Sequence, residues 1–290
     1  MSDISGRHIL VTGGGRGIGL SIALACAQAG ANVTVMARSE KDLAEAEKQL
    51  RKVAKDSSKC LALRTDVSDD QQLQSALETA HKAQGPIYGL ICAAGVYGAI
   101  APFAQSNFED WEKTIAINLT GTARTVHRAL KHMTADDGGR VIFFSGGGQG
   151  PMPNFSDYVT SKGAIWRLTE TLGAELAPMK IFVNAVAPGA VNTRLLDELL
   201  EAGPERVGQE VYNRSIQQRE SGGQSPEKAA ELCLYLLSPK SAGLYGKTLS
   251  AIWDRYQEFE ASPNSGLEHL SKSDLFTYRR VVDTKGNTRG

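Results

Sequence analysis

Tyr158 and Lys162 stand four residues apart in Ser156-Asp157-Tyr158-Val159-Thr160-Ser161-Lys162, a spacing that places both on one face of a helix. A phenol with a pKa near ~10 is a poor acid or base at neutral pH. An ammonium ~5 Å away, at an effective dielectric of ~20, favours phenolate by ~3 kcal/mol, around two pKa units. Tyr158 would then give and take protons near neutrality. Alone, such a pair also fits an ordinary exposed helix, so its meaning depends on what else the chain carries.

A second stretch supplies the context. Thr12-Gly13-Gly14-Gly15-Arg16-Gly17-Ile18-Gly19 follows the apolar run His8-Ile9-Leu10-Val11 and opens into Leu20 to Ala27. Buried strand, glycine-rich turn, then helix is a phosphate-binding geometry. Glycines admit the anion to backbone N–H groups, and the helix N-terminus favours negative charge. The fingerprint G-x-G-x-x-G fits in no register; G-x-x-x-G-x-G fits on Gly13, Gly17 and Gly19. The other reading is a glycine-rich turn without a ligand.

The end of the next strand bears on which dinucleotide this would be. A free ribose 2′-hydroxyl is usually held by an acidic residue about twenty positions past the glycines. Here that place has Ala37-Arg38, and Arg16 lies in the loop itself. Two guanidiniums and no carboxylate suit a 2′-phosphate, so NADP(H) is expected in preference to NAD(H). Otherwise these arginines point to solvent. Asp66, in Thr65-Asp66-Val67, either meets the adenine ring or caps a helix.

The elements that must position these groups alternate along the chain. Gly30 stops the first helix, and Asn32–Ala37 reads as a second strand. A helix over about 41–54 leads to a third strand, 59–64, and a helix capped near Ser68 leads to a fourth, Ile87–Cys92. A fifth strand, Arg140 to Ser145, precedes a Gly/Pro-rich loop from Gly146 to Pro153. This alternation calls for right-handed βαβ units and a parallel sheet covered on both faces, an α/β doubly wound fold. Ligands on such sheets sit beyond the carboxyl ends of the strands, where the glycine loop lies.

Composition narrows the partners. With 32 basic against 32 acidic residues, nucleic acid and anionic membrane are not expected partners. No apolar run is long enough for a bilayer, and Met1 to Arg7 lacks the apolar core of a signal peptide. Cys26, Cys60, Cys92 and Cys233 form no C-x-x-C pair, so no metal site or disulfide framework is expected. A cytoplasmic protein with reduced thiols fits these features.

Over about Gly6 to Ser250 the chain resembles the short-chain dehydrogenase/reductase family. The resemblance rests on motifs in family order: TGGGRGIG at Thr12 to Gly19, Asp66-Val67, and CAAG at Cys92 to Gly95. IAINLTG around Asn118, Ser145, YVTSK at Tyr158 to Lys162 and NAVAPGAVNT at Asn184 to Thr193 follow. It implies one Rossmann-like domain over residues 1–250 with about seven parallel strands, and a C-terminal extension over 251–290. It gives Tyr158 the role of acid in reduction and base in oxidation. Lys162 would bind the nicotinamide ribose, Ser145 would hold the reacting oxygen, and Asn118, in a helix it interrupts, would position a proton-relaying water. Gly13, Gly15, Arg16, Gly17, Ile18 and Gly19, with Arg38, Asp66, Val67, Ala93, Ala94 and Gly95, would hold the adenosine and phosphates. Pro188, Gly189, Val191 and Thr193 would place the nicotinamide carboxamide.

Three departures stand out. Cys92-Ala93-Ala94-Gly95 replaces the usual Asn-Asn-Ala-Gly, removing a side-chain brace beside the first strand. Gly146 occupies a place where the family often has its serine, whereas the spacing back from Tyr158 selects Ser145. Ala251-Ile252-Trp253-Asp254 replaces an Asp-Gly-Gly end of strand seven. Residues 194–223 read as helical with mixed charge, with a helix start at Ser225-Pro226. Beyond Ser250, Trp253, Tyr256, Phe259, Phe276 and Tyr278 precede Arg279-Arg280; this arm either packs on its own subunit or closes over a pocket, its own or a neighbour's.

The function expected is interconversion of a carbonyl and a secondary alcohol on a small molecule, by a homo-oligomer (dimer or tetramer) using NADP(H). Two alternatives stand beside it: a nucleotide-sugar epimerase or dehydratase with tightly held NAD(P), and a non-catalytic dinucleotide-binding scaffold.

Overall fold

The computed structural model describes residues 4–55, 58–133, 138–146 and 151–256. Seven parallel strands form one sheet: β1 (His8–Thr12), β2 (Asn32–Ala37), β3 (Cys60–Arg64), β4 (Ile87–Cys92), β5 (Arg140–Phe144), β6 (Phe182–Ala187) and β7 (Thr248–Ser250). Their spatial order is β3-β2-β1-β4-β5-β6-β7. Chain direction along the sheet therefore reverses between β1 and β4, and a crevice opens there at the carboxyl ends.

Both faces are covered, which is why the strands read as near-continuous apolar runs. Ile9, Val11, Val33 and Val35 point to one face, against α1 (Gly17–Gln28), α2 (Glu40–Val53) and α9 (Pro226–Leu237). Leu10, Leu90, Val141 and Phe143 point to the other, against α3 (Asp70–Gln84), α5 (Thr122–Ala129) and α6 (Ser156–Leu176). Each fully buried Leu or Val side chain contributes roughly 1.5–3 kcal/mol, so the sheet is a rigid platform. α4 (Phe108–Ile115), α7 (Arg194–Val207) and α8 (Gln209–Glu220) complete the set, with a kink in α7 where Gly203 takes φ +77° before Pro204.

Helix starts follow their caps. Ser39, Asp69, Asn107 and Ser225 each accept backbone N–H groups from the first turn they open, and Pro226 sits inside its helix start as expected. Ser68 is not the cap of α3. Its N–H and hydroxyl both bond Asp66 Oδ1, at 2.9 and 2.6 Å, which leaves Asp69 to accept from Gln71 and Gln72. The third strand starts at Cys60, one residue later than expected, and the fifth ends at Phe144, leaving Ser145 just past the ladder.

After β7 the unusual Ala251 to Asp254 turn is closed by its own side chains: Asp254 Oδ2 accepts the Ser250 N–H at 2.6 Å, and Ser250 Oγ accepts from Ile252 and Trp253 at 3.2 Å. Tyr256 is buried against Tyr235, ring centroids 5.2 Å apart, whereas Trp253 is 84% exposed. Phe259, Phe276, Tyr278, Arg279 and Arg280 lie outside the described residues.

Candidate active site

The glycine loop is shaped by close approach. Gly13 has φ +68°, and a Cβ there would stand 2.7 Å from Ala94 N and 2.8 Å from the Ala93 carbonyl, at the exit of β4. A Cβ on Gly19 would overlap the Gly13 carbonyl oxygen, so the first turn of α1 lies directly on the loop. Arg16, the residue preceding α1, makes no side-chain cap bond. The first N–H groups of α1 are thus left for an anion. Gly19→Ala is expected to abolish dinucleotide binding or halve the folded yield, read by fluorescence titration alongside circular dichroism; a variant binding as wild type would contradict this packing.

In front of the loop lies a cavity of about 980 Å³. Gly13, Gly15, Arg16, Gly17, Ile18, Gly19, Arg38, Asp66, Val67, Ala93, Ala94, Gly95 and Thr193 line it. Met36, Ser39, Asp42, Thr65, Val96, Ile117 and Arg219 also line it and escape a reading of the sequence. Pro188, Gly189 and Val191 do not line it: Gly189, at φ +82°, packs where a Cβ would meet Ile252, and Val191 bridges to Gln224. A dinucleotide fits this site, since the volume, the Cβ-free cradle and the uncapped helix start suit a long ligand with a pyrophosphate at its middle.

The β2 end differs from the expectation of arginines without a carboxylate. Asp42, in the first turn of α2, pairs with Arg16 at 3.2 Å. It lies beyond the position that the twenty-residue rule inspects, and only the fold of α2 onto the loop brings it there. Arg38 is exposed and makes no ion pair among the described residues, so Arg16, Arg38 and Asp42 together leave this end of the cavity cationic. Asp66 lines the wall, and its Oδ1 accepts from the Ser68 N–H and hydroxyl, so it braces the turn ahead of α3 and does not cap the helix, whose cap is Asp69.

Asn118, Ser145, Tyr158 and Lys162 do not line this cavity; they are grouped where α6 meets the exits of β4 and β5, and a Cβ on the cavity residue Gly95 would stand 3.3 Å from Asn118 Oδ1 and 3.6 Å from Lys162 Nζ. Tyr158 and Lys162 are both buried, and Lys162 Nζ lies 5.7 Å from the Tyr158 ring centroid. Nζ donates to the Phe144 carbonyl at 3.0 Å. Burial pushes the Lys162 pKa down to about 8. Burial, and then Tyr97, pushes the Tyr158 phenol up rather than down. The expected depression by the neighbouring ammonium is thus outweighed in the protein alone. Both groups are desolvated, and the ammonium is turned toward a carbonyl.

Ser145 Oγ is buried and has no hydrogen-bond partner among the described residues. Its neighbour Gly146 lies against the Tyr158 hydroxyl: a Cβ at 146 would stand 2.7 Å from that oxygen. A hydroxyl at 146 would crowd Tyr158, which supports Ser145 as the serine of the site. An unpaired buried donor costs roughly 1–3 kcal/mol and marks a place awaiting a ligand atom.

Asn118 sits in a widened, π-type turn, Ala116–Gly121, between α4 and α5, consistent with a helix it interrupts. Its Oδ1 accepts the Val96 N–H and its Nδ2 donates to the Val96 carbonyl, both at 2.9 Å; Nδ2 also donates to Ser161 Oγ at 3.1 Å. The amide therefore braces the β4 exit loop against α6. Beside Cys92-Ala93-Ala94, where a side-chain brace is missing, Ala94 N makes a long contact to Thr12 Oγ1 at the end of β1, 3.5 Å.

Two residues absent from the sequence expectations complete the site. Asp157 is fully buried, its Oδ1 accepting Tyr158 N–H and its Oδ2 accepting Ala99 N–H, each at 2.8 Å. It staples the loop after β4 to the start of α6. That loop presents Tyr97, whose ring meets Tyr158 edge-on at 4.7 Å and Phe155 at 5.5 Å. An acidic residue in the first turn of a helix is a readable signal for Asp157; Tyr97 has none.

Fold and site together define a dinucleotide-dependent oxidoreductase of the parallel-sheet type. The family model for short chain dehydrogenase matches residues 7–203, and the chain belongs to that family. It is similar to glucose 1-dehydrogenase 2 of Bacillus subtilis (strain 168), 31% identical over 249 residues, covering 85% of this chain and 93% of that one. It is 32% identical over 243 residues to the short-chain reductase protein NovJ of Streptomyces niveus, covering 83% and 90%. Among solved structures, an actinorhodin polyketide ketoreductase variant with NADPH superposes with a TM-score of 0.77 at 29% identity, covering 86% of this chain and 97% of that one. An NAD+-bound xylitol dehydrogenase gives 0.75 at 27%, covering 86% and 98%. The chain is thus an enzyme of a family that acts on CH–OH and C=O groups with NAD(P).

Proposed function

We propose that the protein interconverts a carbonyl and a secondary alcohol on a small molecule using NADP(H), with Tyr158 as acid in reduction and base in oxidation. The observation that carries this reading is the convergence of the Tyr158 hydroxyl, the unpartnered Ser145 Oγ and buried Lys162 at the carboxyl end of the sheet. When bound, the nicotinamide would supply or accept the hydride. Ser145 Oγ donates to the substrate oxygen and holds it at Tyr158. Tyr158 Oη passes the proton to that oxygen in reduction and recovers it in oxidation. Lys162, cationic below about pH 8, stabilises negative charge as it develops on the phenol oxygen. Tyr97 and Phe155 pack around the phenol and exclude water from one side. Pro188, Gly189, Val191 and Thr193 form the backbone turn that orients the nicotinamide.

NADP(H) is favoured by the net positive charge of Arg16, Arg38 and Asp42 at the β2 end. Arg38→Ala is expected to weaken NADPH binding roughly tenfold while leaving NADH within about twofold, a loss typical of one charge-assisted contact. Equal losses for both would overturn the preference. A cytoplasmic homo-oligomer is part of the same proposal; no helix among the described residues is long and apolar enough to cross a membrane.

A further inference from the structure

Arg219 stands at the end of α8, far in sequence from every motif of the site, yet it lines the dinucleotide cavity beside Thr193, Arg194 and Asp197. Its guanidinium is ion-paired with Asp197 in the first turn of α7, and about half of each side chain is exposed, 50% and 53%. The pair also borders a second cavity of about 670 Å³ between α7 and α8, so it forms the partition between the two spaces.

The position of Arg219 is tied to the cofactor loop. Gln218 Nε2 donates to Asn192 Oδ1 at 3.1 Å, Asn192 Nδ2 donates to the Gln218 carbonyl at 3.4 Å, and Gln224 N donates to the Ala190 carbonyl at 2.8 Å. The end of α8 is therefore hydrogen-bonded to the loop that enters α7. Across the cavity that loop meets the glycine turn: a Cβ on Gly17 would stand 3.6 Å from the Thr193 methyl. Two helix starts, those of α1 and α7, face the same gap, and neither is capped by a side chain. An anion in that gap satisfies both. Asp197 puts a carboxylate beside it, and Arg219 is the cation that neutralises this carboxylate.

We infer that Arg219 is a ligand of the dinucleotide pyrophosphate, held beside its site by Asp197, and that it draws α8 over the bound cofactor. The inference rests on reading the larger cavity as the dinucleotide site. A guanidinium carries five N–H donors on separate edges, so Arg219 binds a phosphate oxygen without releasing Asp197.

The test is a titration of the purified protein with NADPH and NADH, without substrate, by calorimetry or quenching of tryptophan fluorescence. Arg219→Ala weakens both dinucleotides alike, roughly ten- to hundredfold, while Arg219→Lys recovers part of the loss. Arg214→Ala, which breaks an exposed α8 pair with Glu210, binds as wild type and controls for helix destabilisation. Unchanged affinity in Arg219→Ala overturns the inference. A loss confined to NADPH also overturns it, since Arg219 would then serve the 2′-phosphate. If the wild-type protein binds neither dinucleotide, the reading of the cavity falls as well.

Discussion

Tyr158→Phe is expected to lower kcat for carbonyl reduction by about 10³-fold, within the range of a lost general acid, while dinucleotide affinity stays within about twofold. That loss corresponds to ~4 kcal/mol of transition-state stabilisation. The substitution removes only the hydroxyl. The ring keeps its edge-on contact with Tyr97, so the apolar packing at the head of α6 survives. Stability is accordingly expected to change by less than about 1 kcal/mol. Steady-state kinetics with a binding titration checks both halves; activity close to wild type would falsify the assignment of Tyr158.

Lys162→Met is expected to abolish most turnover and yet make the protein more stable at neutral pH. Burial lowers the Lys162 pKa from 10.5 to about 8, so folding with a charged Lys162 costs on the order of 3 kcal/mol. Methionine removes that cost but leaves the Phe144 carbonyl without its donor, a loss of about 1 kcal/mol, for a net gain of about 2 kcal/mol. The pH dependence has a definite sign. Below about pH 8 the lysine is protonated whether folded or unfolded, and the full cost is present. Between about pH 8 and 10.5 the unfolded chain holds the proton that the folded chain releases, so wild-type stability rises with pH. The advantage of the methionine variant should therefore shrink as pH is raised through that window, as measured by denaturant midpoints. Reductive kcat of the wild type should fall over the same range, as the lysine loses its charge. A methionine variant less stable at pH 7, or an advantage that grows with pH, would contradict the burial of a charged lysine. Activity and stability pull against each other at this residue, as at many catalytic positions.

Local pattern carried much of this molecule. β2 and β4 have the bounds that apolar runs and flanking glycines indicate, and the pair Tyr158/Lys162 lies on one helix because its spacing is helical. Ser68 and Asp69 are equally good caps by residue type. The choice between them was made by Asp66, which captures the Ser68 hydroxyl. Pairings across the fold were not legible. Asp42 reaches Arg16 over 26 residues, Asp157 reaches Ala99 over 58, and Asn118 reaches Val96 over 22. Periodicity and capping report a residue's own element, whereas these contacts arise where separate crossovers converge on one sheet edge. The electrostatics followed the same division. Spacing gave the attraction between Lys162 and Tyr158, but burial of both groups, visible only in the folded chain, outweighs it.

The central claim is that a dinucleotide bound at the glycine cradle exchanges hydride with a carbonyl whose proton comes from Tyr158. It is tested most directly by following NADPH and NADH absorbance against a panel of ketones, aldehydes and secondary alcohols. Wild-type protein should consume NADPH with at least one carbonyl, faster than NADH, and Tyr158→Phe should not. Tight dinucleotide binding with no carbonyl or alcohol turned over by the wild type would contradict the account and leave a scaffold in its place.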